Sequence, residues 1–72
     1  MIDVFIDSEF ITLGQLLKLI GVITNGGEAK IALLTLKIQV NGTFENRRGR
    51  KIRPGDKVFI GKKGFLIQKN DY

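Results

Sequence analysis

The sequence contains no cysteine, no histidine and no tryptophan, and only one proline among 72 residues. Without cysteine there is no disulfide framework and no thiolate metal site, and without histidine the usual imidazole ligands of zinc, iron and copper are missing. No cofactor or metal is therefore expected. Catalytic chemistry is equally short of material. The one serine, Ser8, stands beside no base, Asp56 is best explained by its turn, and Glu28 by a helix cap, so an enzyme is not expected. No run approaches the ~18 apolar residues of a membrane-spanning helix, and acids stand near the start where a secretory leader needs basic residues. The expectation is a soluble, cytoplasmic protein with no membrane partner. Repeats and low-complexity tracts are also missing.

Seventy-two residues suffice for one small domain spanning 1–72, expected to be a monomer. A chain of this size hides only roughly 60% of its unfolded surface on folding, so its stability should be modest. Charge is abundant but uneven. Residues 1–36 carry two basic against four acidic side chains, whereas residues 37–69 carry ten basic against two acidic; with Asp71 the total is +5. Such asymmetry favours a polyanionic partner, nucleic acid before membrane.

Taken in order, Ile2, Val4 and Ile6 alternate with Asp3, Phe5 and Asp7, which predicts a half-buried strand. Thr12 and Gln15 form a T-x-x-Q capping box ahead of Leu13, Leu16, Leu17 and Ile20, whose spacing predicts an amphipathic helix. Gly14 is unfavourable inside that helix, and the close approach of a neighbouring backbone or of a ligand would supply a reason for it. A second helix is predicted from Ala29, Ala32, Leu33 and Leu36, opened by Asn25 and Glu28 as a second capping box. Each helix should run some ten to twenty residues, the two joined through Gly21 to Asn25. Gly26 and Gly27 admit two readings: they let the chain turn sharply, or they leave amides uncovered for a phosphate or carboxylate. Lys30 and Lys37 should reach solvent near one side.

Asn41-Gly42 is a type I′ hairpin signal between Ile38-Gln39-Val40 and Thr43-Phe44-Glu45. Pro54-Gly55-Asp56 marks another turn before a strand at Lys57 to Ile60, and Gly61 to Gly64 turns into Phe65, Leu66 and Ile67. The predicted class is α+β: two packed helices against a small, mostly antiparallel sheet. Of the aromatics, most should be core, with Phe44 or Phe59 facing out.

Five of the seven residues from Arg47 to Arg53 are positive, four of them arginine. No acid is interleaved, nothing in the predicted fold needs this density, and like charges so close repel by up to about 1 kcal/mol per exposed pair. A phosphate partner relieves that repulsion, arginine offers it a two-pronged fork, and Gly49 lets it approach the main chain.

The order of these elements resembles the S-four-type RNA-binding domain, or alpha-L motif. The likeness is carried by the helix, the turn, the capped second helix, Ile38-Gln39-Val40-Asn41-Gly42 and Arg53-Pro54-Gly55-Asp56-Lys57-Val58, and it spans Phe10 to Ile60. Asn25-Gly26-Gly27-Glu28-Ala29-Lys30 with Arg47-Arg48-Gly49-Arg50-Lys51 is similar to the small stand-alone bacterial branch often called YaaA-like. The resemblance implies an RNA-binding protein whose contacts are phosphates and the shape of a helix or stem-loop junction, in ribosomal or transfer-RNA-like RNA. By position the implied contacts are Thr12, Gln15, Asn25, Gly26, Gly27, Lys30, Lys37, Asn41, Arg47, Arg48, Arg50 and Lys51. This chain departs from the family at Thr12-Leu13-Gly14, where many members have Arg-Leu-Asp, and at Asn25-Gly26, where many have Ser-Arg. Leu36 also stands where a glycine commonly closes the second helix, so attraction should come mainly from the basic run. The alternative is a DNA-binding module, since positive charge alone does not distinguish RNA from DNA, or a protein-interaction module that pairs through a sheet edge near Ile2 to Ile6 or Phe65 to Ile67.

Overall fold

The computed structural model describes residues 1–70; Asp71 and Tyr72, the latter among the aromatics weighed above, lie outside the described residues. Its elements are β1 (Ile2–Ile6), β2 (Ile11–Thr12), α1 (Leu13–Leu19), a 3₁₀ turn (Gly26–Glu28), α2 (Ala29–Thr35), β3 (Ile38–Val40), β4 (Thr43–Phe44), β5 (Lys51–Ile52), β6 (Lys57–Ile60) and β7 (Lys63–Lys69). The class is α+β, with two helices packed on a mixed sheet of order β1-β7-β6-β3-β4 and a separate two-stranded ribbon, β2-β5. Among the described residues only the β1–β7 pairing is parallel; it sets Val4 against Ile67.

Val4 and Ile6 turn inward from β1, while Ile2 and Phe5 remain 45% and 54% exposed. Leu13, Leu16 and Leu17 of α1 and Ala29, Ala32 and Leu33 of α2 join Ile38, Val40, Ile52, Val58, Phe65 and Ile67 in one core. That core is almost wholly aliphatic. Phe65 is buried and Phe59 half-buried, but Phe5, Phe10 and Phe44 are exposed, which corrects the expectation that most aromatics lie inside. Isoleucine, leucine, valine and alanine, with Phe65, already fill the inward positions. Phe5 takes the opposite side of β1 from Val4 and Ile6, and Phe44 sits on the short edge strand β4.

Both helices are shorter than the spacing of their apolar residues suggests, at seven residues each. Helix α1 stops at Gly21, whose φ of 82° is the left-handed conformation a helix end favours. The Val22 amide then closes on the Leu17 carbonyl at 2.9 Å and the Gly21 amide on that of Lys18 at 3.2 Å. The first turn expected of α2 is wound instead as the 3₁₀ segment, and Leu36 has already left the helix in extended conformation, 40% exposed. Asn41 and Gly42, with φ of 52° and 87°, form the expected hairpin turn between β3 and β4.

Candidate nucleic-acid interface

The Thr12 capping box forms as the sequence predicts: the Gln15 amide donates to Thr12 Oγ1 at 3.2 Å, and the Thr12 amide donates to Gln15 Oε1 at 2.9 Å. A helix start has two further amides to satisfy in its first turn. Here they are satisfied by the basic loop: Leu13 donates to the Arg50 carbonyl at 2.8 Å and Gly14 to the Arg48 carbonyl at 2.9 Å. The β2–β5 ribbon extends this docking, pairing Ile11 with Ile52 and Thr12 with Lys51. The loop backbone therefore passes close to Gly14, yet a Cβ there would lie 3.4 Å from the Arg48 carbonyl oxygen and 3.5 Å from the Arg48 Cβ, ordinary contact that leaves room for a methyl group.

Docking creates an open groove of about 370 Å³ lined by Thr12, Gly14, Gln15, Lys18, Gly26, Ala29, Arg48 and Gly49. Arg47, Gly49, Arg50, Lys51 and Arg53 line a second depression of about 440 Å³, which shares Gly49 with the first. Seven of the residues singled out in the sequence therefore meet on this surface: Thr12, Gln15, Gly26, Arg48, Arg47, Arg50 and Lys51. Lys18 joins them without having been singled out, and so does Arg53, which belongs to the basic run but not to the implied contacts. The signal for Lys18 was its place three residues after Gln15, on the same side of α1.

The remaining candidates lie elsewhere or have structural partners. Asn25 caps the 3₁₀ turn through the Gly27 amide at 3.0 Å, so that amide is occupied. The second capping box is not completed. Glu28 donates its own amide to the Asn25 carbonyl at 3.2 Å, and its carboxylate accepts from the Asn25 side-chain amide at 3.0 Å and from the Thr24 hydroxyl. These bonds favour the turn reading of Gly26 and Gly27 over the anion reading. Lys30 and Lys37 are exposed, on α2 and at the entry to β3. Asn41 braces two turns: its amide nitrogen donates to Asp56 Oδ1 at 3.0 Å, and its oxygen accepts the Lys57 amide at 2.9 Å.

Glu45 changes the account of the basic run. Its side chain is only 8% exposed and accepts from Arg47 Nε at 3.0 Å and from an Arg50 guanidinium nitrogen at 2.8 Å. The amides of Asn46 and Arg47 also donate to it, each at 3.2 Å. The Arg47 hydrogen bond, aided by Arg50 and opposed by burial, holds the Glu45 carboxyl down at about 2, and Glu45 in turn pushes the Arg47 guanidinium above its ordinary value. The expectation that the fold has no use for these arginines is thus corrected for Arg47 and Arg50, which gather the loop around one carboxylate that lies just before the run. Among the described residues, no carboxylate pairs with Arg48, Lys51 or Arg53. Lys51 Nζ and Arg53 Cζ instead lie 4.9 and 5.7 Å from the centre of the Phe10 ring.

The residues weighed for catalysis also have structural work: Asp56 accepts the Arg53 amide at 2.8 Å, and the Ser8 hydroxyl donates to the Phe10 carbonyl at 2.7 Å. Among the described residues, no cluster of His, Cys, Asp and Glu could hold a metal ion, and no helix is long and apolar enough to cross a membrane.

Two helices on a mixed sheet, with a loop after the β3–β4 hairpin docked against the first helix, define an S4-type domain. The sequence profile of the S4 domain family matches residues 4–68, and the chain belongs to that family. It is similar to the probable ribosome maturation protein RlbA of Bacillus subtilis (strain 168), with 54% identity over 55 residues, 76% of this chain and 78% of that protein.

Proposed function

We propose that this chain is a non-catalytic RNA-binding protein that receives structured RNA, ribosomal or transfer-RNA-like, on the face formed by the start of α1 and the docked loop. The observation that carries this reading is the pair of backbone bonds from Leu13 and Gly14 to the carbonyls of Arg50 and Arg48, which hold a dense set of cations beside Thr12, Gln15 and Lys18. Membership of the S4 domain family supports it, and the ribosome maturation named for the similar B. subtilis protein favours ribosomal RNA.

Attraction comes chiefly from phosphate neutralisation. Arg48, Lys51, Arg53 and Lys18 supply charge that no carboxylate pairs among the described residues, while Arg47 and Arg50 keep the loop in shape. If about four to six phosphates are engaged, log K falls with log salt at a slope of roughly −3 to −5. Selectivity then rests on RNA shape, because the deep, narrow major groove of an A-form helix admits no side chain. Lys30 and Lys37 lie outside the two depressions and contribute at most long-range attraction.

A competition experiment tests the reading. At physiological salt, a structured ribosomal RNA fragment should displace a labelled RNA stem-loop at concentrations where duplex DNA of equal length does not. Equal displacement by both would make the chain a general polyanion binder, and binding of neither would reject nucleic acid as the partner.

A further inference from the structure

Phe10 is an exposed aromatic side chain beside the basic loop that the core does not use. The residue is 38% exposed and takes no part in the buried cluster or in the set of half-buried residues packed against it. Its position is nonetheless well fixed. The carbonyl of Phe10 accepts the Ser8 hydroxyl at 2.7 Å, Glu9 pairs with Lys69 at 2.6 Å, and the next two residues form strand β2. In the β2–β5 ribbon Thr12 faces Lys51; continuing that register by two residues sets Phe10 against Arg53. Directly opposed residues point to the same side of a ribbon, and alternate residues share a face. Phe10, Thr12, Lys51 and Arg53 therefore form the outer face of the ribbon, while Ile52 turns into the core.

We propose that Phe10 is the stacking platform for one unpaired RNA base, with Lys51 and Arg53 holding the phosphates on either side of that nucleotide. The inference rests on the RNA-binding reading above and adds to it a specific subsite and a ligand class: a bulged, looped or terminal nucleotide. Lys51 and Arg53 lie over the ring at 4.9 and 5.7 Å, and both also line the 440 Å³ depression beside it. An exposed cation over a ring is worth a factor of about 2 to 5 in an equilibrium. A base stacked on an aromatic side chain is worth about 5 to 150. The base therefore wins the ring, and the displaced cations, both on long exposed side chains, move onto the phosphates that the base brings with it. Every base has a π-face, so the subsite recognises an unpaired nucleotide without reading its identity.

Two RNA probes of equal length test this: a hairpin carrying one bulged adenosine and the same hairpin fully paired. The full chain, Phe10→Leu and Phe10→Trp are titrated with each. Phe10→Leu keeps the apolar bulk and removes the ring; it should weaken binding of the bulged hairpin by about 5- to 150-fold and that of the paired hairpin by less than about twofold. The chain has no tryptophan, so Phe10→Trp supplies a single fluorophore, whose emission should be quenched by the bulged hairpin and not by the paired one. Equal effects of Phe10→Leu on both probes, or an unquenched indole in a variant that still binds, would remove the stacking site and leave the basic face standing. Failure of the unaltered chain to bind either hairpin would remove both readings together.

Discussion

The backbone amide of Gly14 donates to the carbonyl of Arg48 at 2.9 Å, tying the second residue of α1 to the middle of the basic loop. Satisfying a helix start with loop carbonyls has two consequences. The loop is held where its side chains share a groove with Thr12, Gln15 and Lys18, and the helix amides themselves are no longer available to a ligand. Charge on this face is therefore side-chain charge.

Gly14 is a test of how tightly the loop is seated. A methyl group at this position makes ordinary contact with Arg48 at 3.4 and 3.5 Å, so the loop need not move. Gly14→Ala should then recover much of the helix-propensity difference and stabilise the chain by about 0.5–1 kcal/mol in denaturant unfolding. A loss of stability would mean that the loop sits closer to the helix than these distances allow.

Stability should fall in acid through Glu45. Its carboxyl lies at about 2 in the folded chain against an ordinary 4.5, a lowered value, so its stabilisation is complete above the ordinary value and is lost as pH drops toward 2. The contribution is on the order of 2 kcal/mol. Glu45→Gln should cost about 1–3 kcal/mol at neutral pH. It should also flatten the decline between about pH 5 and pH 2.5 in unfolding curves taken across that range. An unchanged acid limb in Glu45→Gln would assign the pH dependence to other carboxylates.

Arg48 and Asn41 should separate into binding and bracing roles. Arg48→Ala should change stability by less than about 0.5 kcal/mol and make the salt slope of RNA binding shallower by about 1. Asn41→Ala removes the hydrogen bonds to Asp56 and Lys57 and leaves an alanine at a φ of 52°. It should cost about 1–3 kcal/mol and leave the slope unchanged. Filter binding at several salt concentrations, alongside thermal melts, distinguishes the two.

Leu16 has no exposed surface and lies between the helices and the sheet. Leu16→Ala should cost about 2–5 kcal/mol, a large share of the stability of so small a core. Circular dichroism should show a much lower melting temperature or a chain partly unfolded at 25 °C.

Elements set by neighbouring residues were legible in the sequence. The Thr12–Gln15 box, the alternation of β1 and the Asn41-Gly42 turn each depend on a few adjacent positions, and each forms as expected. What stayed hidden depends on distant partners. Gly14 signalled that something approaches α1, but only the folded chain shows that it is Arg48, 34 positions later. Glu45 reads as an ordinary strand residue until the loop curls around it, and Phe10 reads as core until the buried cluster is seen to be filled by aliphatic side chains and Phe65. The helices came out short because Gly21 ends α1, the 3₁₀ turn takes the place of the first turn of α2, and Leu36 leaves α2 in extended conformation.

The most direct test of the RNA-binding face is a map of backbone amide shifts in the ¹⁵N-labelled chain as a structured RNA is added. The largest changes should fall on Thr12, Gly14, Gln15, Lys18 and the loop from Arg47 to Arg53, with β1 and the β6–β7 hairpin little affected. Changes concentrated on β1, or spread evenly around the molecule, would contradict it.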